Sequence, residues 1–475
     1  MKIILVRPSD PRVNVSILTH SSPLNLSYLA AYLIKHGHKV EIWDYEVEKI
    51  TDDVFIEKIR QAQPSVIGFS CMTPTIINGH KMAYLVKKNF PNILTLVGGP
   101  HSSAWPKKVL ESFLHFDVVV IGEGEETLLE LCQAIDKKQD LSGILGIAYR
   151  TSQGIREESR RPLIKDLDKL PFPQRDLLHI NSVRRGHLSR GISNRLKSTE
   201  IYTSRGCPFG CIFCAIGVTM GSTTRFRSPE NVLAEVEECI KKYNIDHFVI
   251  ADDTFTQNRD RTIKICQGFK KLGVRSWHCE GTRVNTVSPK LLKVMAETGC
   301  QKVAFGVESG SPRIMELNGK RINVEQVKNA FKWARQAGIK FIEGNYIIGS
   351  HPSETMEDLQ MTIDLIKDTK PDLISMSIIV PYPGTKIYDL MKEKGYIFTE
   401  DWEKFVMIDQ LPCWRTEHFS PEQLLNFQKK MTRNFYLRPG YILHILSRIR
   451  SIQEMRYWIE VGFGFIKWQI KGRLT

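Results

Sequence analysis

The 475-residue chain has no run of about 20 uninterrupted apolar residues, so it offers no candidate membrane-spanning helix. Its opening, Met1-Lys2-Ile3-Ile4-Leu5-Val6, is too short an apolar run for a secretory leader, and no cleavage site follows it. The ten cysteines lack the regular spacing of a disulfide framework. These absences predict a cytoplasmic protein with reduced cysteines, where metal binding is a better reading than cross-linking. The net charge is +14, yet no basic stretch belongs to a recognisable nucleic-acid module. The excess therefore predicts another anionic partner, a phosphorylated substrate or an anionic membrane.

What is present reads as a globular protein. Apolar residues make up 42% and charged residues 25%, and the length implies two or three domains. In the N-terminal third, short apolar runs alternate with helical periodicity. Strands are predicted at 2–6, 40–43, 65–70, 93–97 and 118–121, with helices at 27–36, 51–61, 78–88 and 126–137. Such alternation implies a doubly wound parallel sheet, whose ligands bind beyond the carboxyl ends of the strands. Ser70, Gly98, Gly99, Gly122 and Gly124 fall at those ends, where glycine lets the backbone approach a flat ligand. Residues 141–196 read as a linker, with Pro171-Phe172-Pro173 as an irregular connector. Arg184, Arg185, Arg190, Arg195 and Lys197 follow with no acid between them. They read as a solvated loop or as a cover that meets an anionic substrate, which Arg225 and Arg227 could join.

From 199 onward a strand–helix unit repeats six times, to a last strand at 372–380. Six units predict a partial barrel, with chemistry at the carboxyl ends of its strands. The first strand leads into Cys207-Pro-Phe-Gly-Cys211-Ile-Phe-Cys214. Three thiolates on one loop admit three readings. One is a zinc site completed by a distant ligand such as His278 or Cys279. Another is a set of unrelated buried cysteines. The third is an iron–sulfur cubane with one iron left open.

The Cys-x3-Cys-x2-Cys spacing, with Phe213 just before the last cysteine, resembles the signature of the radical S-adenosylmethionine (SAM) enzymes. The resemblance implies that Cys207, Cys211 and Cys214 hold a [4Fe-4S] cluster whose open iron chelates SAM. Reduction then yields a 5′-deoxyadenosyl radical. It also implies SAM contacts. Asp252 and Asp253 occupy the position of the family's Gly-Gly-Glu motif, from which their sequence departs. Glu308 and Ser309 match a pair that meets ribose and carboxylate. Phe213, and Gly344 to Gly349, match positions against adenine. Arg283 is a candidate for the SAM carboxylate or for a structural salt bridge, and His351 and Tyr382 for substrate positioning.

The N-terminal third is similar to cobalamin (B12)-binding domains, in which Ser70, Gly98 and Gly99, with Gly122 and Gly124, would line the corrin. The Asp-x-His-x-x-Gly expected after the first strand is replaced by Arg7-Pro8-Ser9-Asp10-Pro11, so cobalamin would bind without a protein histidine ligand. His101, on a Gly-Pro turn, reads as a polar loop residue. The resemblance is closest to the class with anaerobic magnesium-protoporphyrin ester cyclase and the hopanoid-modifying enzymes. It implies radical methyl transfer to an unactivated carbon, or else oxidative cyclisation or rearrangement. A non-enzymatic cobalamin- or metal-binding module is the alternative from another class. A methylthiotransferase is disfavoured, because the N-terminal third has only Cys71 and Cys132 for a second cluster.

The expected architecture is thus α/β: a Rossmann-like cobalamin domain (1–140), the linker, a partial (β/α)6 radical SAM core (197–400) and a helical C-terminal region (401–475). The expected partners are a small-molecule or lipid-like substrate and an electron donor such as flavodoxin or ferredoxin. The tail mixes apolar residues with Arg448, Arg450, Arg456, Lys467 and Lys471, and Trp458 and Trp468 suit a lipid interface, so peripheral association with the inner membrane face is a further expectation.

Overall fold

The computed structural model describes residues 1–10, 22–48, 50–178, 196–407, 410–449 and 451–471. The cluster Arg184, Arg185, Arg190 and Arg195 lies outside the described residues, as do Arg450 and the side chain of Trp468.

The first sheet contains β1 (Lys2–Arg7), β2 (Lys39–Asp44), β3 (Val66–Ser70), β4 (Leu94–Gly98), β5 (Val118–Val120), β6 (Ile147–Thr151) and β7 (Gly154–Glu157). Its spatial order is β2-β1-β3-β4-β5-β6-β7. β1 to β5 run parallel, and helices cover both faces. Continuous apolar runs suit strands buried on both sides: Ile3 to Val6 are all buried. β6 and β7 add antiparallel to the edge. They come from the stretch read as linker, so this sheet continues beyond residue 140.

The second sheet contains β8 (Ser198–Ile201), β11 (His247–Ile250), β12 (Trp277–Thr282), β13 (Cys300–Glu308), β14 (Phe341–Ile348) and β15 (Leu373–Ile378). All pairings are parallel, in the order β15-β14-β13-β12-β11-β8, so the barrel stays open between β15 and β8. A two-strand ribbon, β9 (Ser204–Arg205) with β10 (Arg225–Phe226), lies between β8 and β11 in sequence. The covering helices start at side-chain caps. Ser228, Asn258, Ser288 and Asn323 each accept from a backbone N–H in the first turn, satisfying a donor the helix leaves open. Ser353 reads from sequence as the cap of the fifth such helix. Thr355 holds that place, because Ser353 is engaged with His351 and Arg313.

A polar row crosses the inner face of this sheet. His247 Nε2 lies 2.7 Å from His278 Nδ1, His278 Nε2 lies 2.8 Å from Glu280, and Lys302 bridges Glu280 and Glu343 at 2.9 and 3.0 Å. Glu200, on β8, has its carboxyl pushed up to about 7 by burial, against the pull of Arg7 and Arg175. The helix Pro421–Tyr436 packs on β15, with Gln428 donating to the Met376 carbonyl at 2.7 Å. Trp402 reaches the N-terminal sheet's helices, where its ring meets those of His101 and Trp105. Among the described residues, no helix is long and apolar enough to cross a membrane.

Candidate active site

The parallel strands of the two sheets present their carboxyl ends to each other, and a cavity of about 350 Å³ lies between them. The first sheet contributes Ser70 from β3, Gly98 at the end of β4 with Gly99 just after it, and the Gly122–Glu125 loop after β5. The second contributes Tyr202, Ala251 and Asp253 at its strand ends, and the β9–β10 ribbon adds Ser204 and Arg205. Ile216, Thr219 and Met220, just after the cysteines, add to the wall, as do Asn25, Tyr28 and Leu29 of the first helix. All five residues assigned from sequence to cobalamin line this one space. Gly99 cannot be replaced there: its φ is +112°, and a Cβ would sit 2.4 Å from the Cys71 carbonyl oxygen. Five glycines in the lining leave broad wall with no side chain standing on it, which suits a flat macrocycle. His101 turns away from this space. Its ring is buried against Trp402 and lies 3.3 Å from the Thr73 hydroxyl, so it is a packed interior residue and not an exposed loop residue.

The cysteine loop is tightly wound. Gly206 has φ +86°, and a Cβ there would lie 2.3 Å from the Thr223 carbonyl oxygen. The Cys214 N–H donates to the Cys211 carbonyl at 3.1 Å, and the Ile212 N–H to that of Asn318 at 3.1 Å. Cys207 Sγ is 3.9 Å from the Thr254 hydroxyl. Cys207 and Cys211 are half-buried and Cys214 is exposed. The two residues offered as a fourth zinc ligand are engaged elsewhere. His278 belongs to the polar row, and Cys279 is buried 3.1 Å from the Thr282 hydroxyl. Three thiols on one loop suit a cluster in which each of three irons takes one thiolate.

Arg283 supports this loop directly. Its guanidinium lies 3.7 Å from the Phe209 ring centroid and donates to Cys211 Sγ at 3.7 Å and to the Lys320 carbonyl. Asp253 faces the cavity and accepts from the Gly206 N–H at 3.2 Å. Burial, reinforced by neighbouring Asp252, pushes its carboxyl up to about 6. Asp252 itself points inward, accepting from the Thr203 N–H at 2.5 Å and the Ser204 hydroxyl at 2.7 Å. Its carboxylate fixes the end of β8 and is not open to a ligand.

Glu308 ends β13 with φ +70°, a conformation a non-glycine residue adopts only when its surroundings impose it, and pairs with Lys320 at 2.6 Å. Phe213 is half-buried against the core. Asp253 lines the cavity between the sheets, whereas Phe213, Asp252, Arg283, Glu308, Ser309, Gly344 and Gly349 do not. Ser309 is buried against Thr362 and accepts from the Ser311 N–H. A Cβ on Gly344 would meet the Tyr346 ring at 2.7 Å, and Gly349 backs onto Leu424 and Thr416. Arg225 and Arg227 are not part of an anion-greeting cover either, because both are buried in ion pairs.

The geometry can be set beside known proteins. A Radical SAM superfamily model matches residues 201–366, and a B12 binding domain model matches residues 13–132. An uncharacterized methyltransferase of Pyrococcus horikoshii is 34% identical over 444 residues, 93% of this chain and 94% of the relative. The chain belongs to the radical SAM superfamily. It is a radical SAM enzyme with an N-terminal B12-binding domain. The cytidylyl-2-hydroxyethylphosphonate methyltransferase of Streptomyces wedmorensis is 27% identical, covering 84% of this chain and 83% of that one. The anaerobic magnesium-protoporphyrin IX monomethyl ester cyclase of Rubrivivax gelatinosus is 26% identical, covering 98% and 83%. The fold of the cobalamin-dependent radical enzyme OxsB superposes with a TM-score of 0.75 at 18% identity, over 99% of this chain and 72% of that one. The methyltransferase TsrM of Kitasatospora setae superposes at 0.71 and 17%, over 92% and 89%.

Sequence reasoning passed over Glu123, Glu125 and Arg205. The signal was available in the alternation Gly122-Glu-Gly-Glu125 and in the arginine just before Gly206-Cys207. Such alternation places acids beside a glycine cradle, and their partners become visible only when the two domains meet.

Proposed function

We propose that this enzyme transfers a methyl group to an unactivated carbon of a small-molecule substrate. The observation that carries this reading is the single cavity walled by the glycine-rich ends of β3 to β5, by the first barrel strands and by the cysteine loop. When bound, the cluster with SAM supplies the hydrogen-abstracting radical, and cobalamin supplies the methyl group. The chain's own residues bind and orient. Cys207, Cys211 and Cys214 ligate the cluster, and Arg283 steadies Cys211. Asp253 takes the SAM amino group, with Asp252 behind it as a brace. Glu308 takes the ribose hydroxyls, and Phe213 lies against the adenine. Ser70, Gly98, Gly99, Gly122 and Gly124 hold the corrin. The Pyrococcus and Streptomyces relatives, named as methyltransferases, support this choice. Oxidative cyclisation is the second reading, supported by the Rubrivivax relative, which matches nearly the whole chain.

Anaerobic reconstitution with iron, sulfide, cobalamin and methyl-labelled SAM separates the two. Label is expected in the corrin extracted from the protein, together with 5′-deoxyadenosine once a reductant is added. Deoxyadenosine without label in a bound corrin would turn the reading to cyclisation. No deoxyadenosine and no bound corrin would reject both.

Reduced flavodoxin or ferredoxin fits as the electron source. The tail adds a second surface. Ile452, Met455, Ile459 and Phe463 form an exposed apolar stripe on the helix Ile452–Lys471, with Arg456 exposed beside them. This stripe supports peripheral association with anionic lipid at the cytoplasmic face. Sedimentation with anionic liposomes is expected to deplete the protein from the supernatant, and equal recovery with and without them would sink the idea.

A further inference from the structure

The loop that carries the cysteines is closed at its neck by the ribbon of β9 and β10, which places Arg205 opposite Arg225. Two guanidinium groups on facing positions repel. Nothing within the ribbon offsets that repulsion, and the compensating charge comes from the other domain. Glu123 accepts from Arg205 at 2.8 Å and from Arg225 at 2.7 and 2.9 Å. Glu125 accepts from the other arm of Arg205 at 2.6 Å. All four side chains are nearly buried, the most exposed being Arg205 at 12%. Two cations meet two anions, so the set is neutral. The Ile164 N–H also donates at 2.8 Å to Glu123 Oε2, the oxygen that Arg225 holds at 2.7 Å.

The two acids alternate in sequence with Gly122 and Gly124, and all four line the cavity. A second strut runs parallel to this one. Arg160 donates to the Ser103 carbonyl in the first domain at 2.6 Å and to the Val218 carbonyl in the cysteine loop at 3.1 Å. The loop that walls the cavity and the neck that holds the cysteines are therefore one hydrogen-bonded body. A ligand pressing on Gly122 and Gly124 acts on the thiol-bearing loop through rigid, charge-assisted contacts.

We propose that Glu123 and Glu125 are positioning residues that couple corrin occupancy to the hold on the cluster, so that a bound corrin slows the loss of iron from the cysteine loop. This rests on the reading that the cavity takes a corrin. Insofar as the slower loss reflects tighter equilibrium binding, the coupling is reciprocal, and a loaded cluster tightens corrin binding.

The test uses the full chain, reconstituted anaerobically and challenged with an iron chelator, with and without hydroxocobalamin. Corrin is expected to slow iron release about fivefold or more in the unaltered protein, by analogy with the affinity changes usual for coupled sites. In Glu123→Gln the ratio should fall to about one, while the corrin spectrum still reports binding. A purely structural role would speed iron loss equally in both arms and leave the ratio unchanged, and that result would overturn the proposal. Unaltered protein that binds corrin yet shows no slowing would overturn it too. Unaltered protein with no corrin spectrum would sink the functional reading instead, and this inference with it. Should Glu123→Gln not accumulate as folded protein, Arg225→Lys takes its place. It keeps the charge and loses the forked contact, and the same ratio is read.

Discussion

Alanine at Cys207, Cys211 or Cys214 eliminates reductive SAM cleavage, with 5′-deoxyadenosine no higher than in a protein-free blank. Three thiolates are the whole local donor set. On the proposed assignment, losing one would leave a second iron without protein ligand beside the iron left open for SAM. Removing a residue that merely supports a metal ligand costs about 10–100-fold in affinity or activity. Removing a ligand costs more, so a fall of at least about a thousandfold is expected. Iron content and the cluster's visible absorption should fall together with product. Cys132→Ala is the control. That cysteine is fully buried in the N-terminal core, far in sequence from the loop, and its replacement should leave both iron and cleavage in place. Full cleavage by any of the three loop variants would refute the assignment of the ligands.

Glu235→Ala is expected to destabilise the protein by about 3–5 kcal/mol, the cost of breaking a buried ion pair by removing one partner. Glu235 is wholly buried on the helix Pro229–Tyr243 and accepts from Arg175 at 2.6 Å and from Arg227. Arg175 belongs to the connector between the domains, and Arg227 also contacts the Tyr28 hydroxyl of the first domain at 3.3 Å. Deleting the carboxylate strands two guanidinium groups away from water. The urea midpoint should drop accordingly. Glu237→Ala, on the exposed side of the same helix and paired among the described residues with Lys241, should move it by less than about 0.5 kcal/mol. Equal shifts for both variants would show that the buried triad does not hold the domains.

Much of this fold was legible in the sequence because its strands are buried on both faces. Val118 to Val120, Ile3 to Val6 and the runs of the barrel leave no alternative period to confuse with a helix. The helix Pro229–Tyr243 appears with the limits its Ser228 cap and apolar spacing indicate. The cysteines and the glycines at strand ends were legible for the same reason: they are local signals. The site's acids were less so. Asp252 and Asp253 are neighbours in sequence, yet one braces β8 and the other faces the cavity, because successive residues at a strand end point to opposite sides. Ser309 and Gly349 sit at strand ends, but a helix lies over each, and tertiary packing of that kind leaves no local trace. Glu123 and Arg205 were illegible as a pair because their contact joins two domains.

The β6–β7 hairpin has a consequence for building chimeras among these enzymes. A breakpoint near residue 140 looks natural from the periodicity, since the last parallel unit ends there. Cutting at that point would take β6 away from β5 and bare the edge of Val118–Val120, three fully apolar residues with unpaired backbone groups. The donor half would then carry a sticky border prone to self-association, and the acceptor half a hairpin with no sheet to join. Exchange of the corrin-side module between relatives therefore belongs after Glu157, where the chain leaves the first sheet.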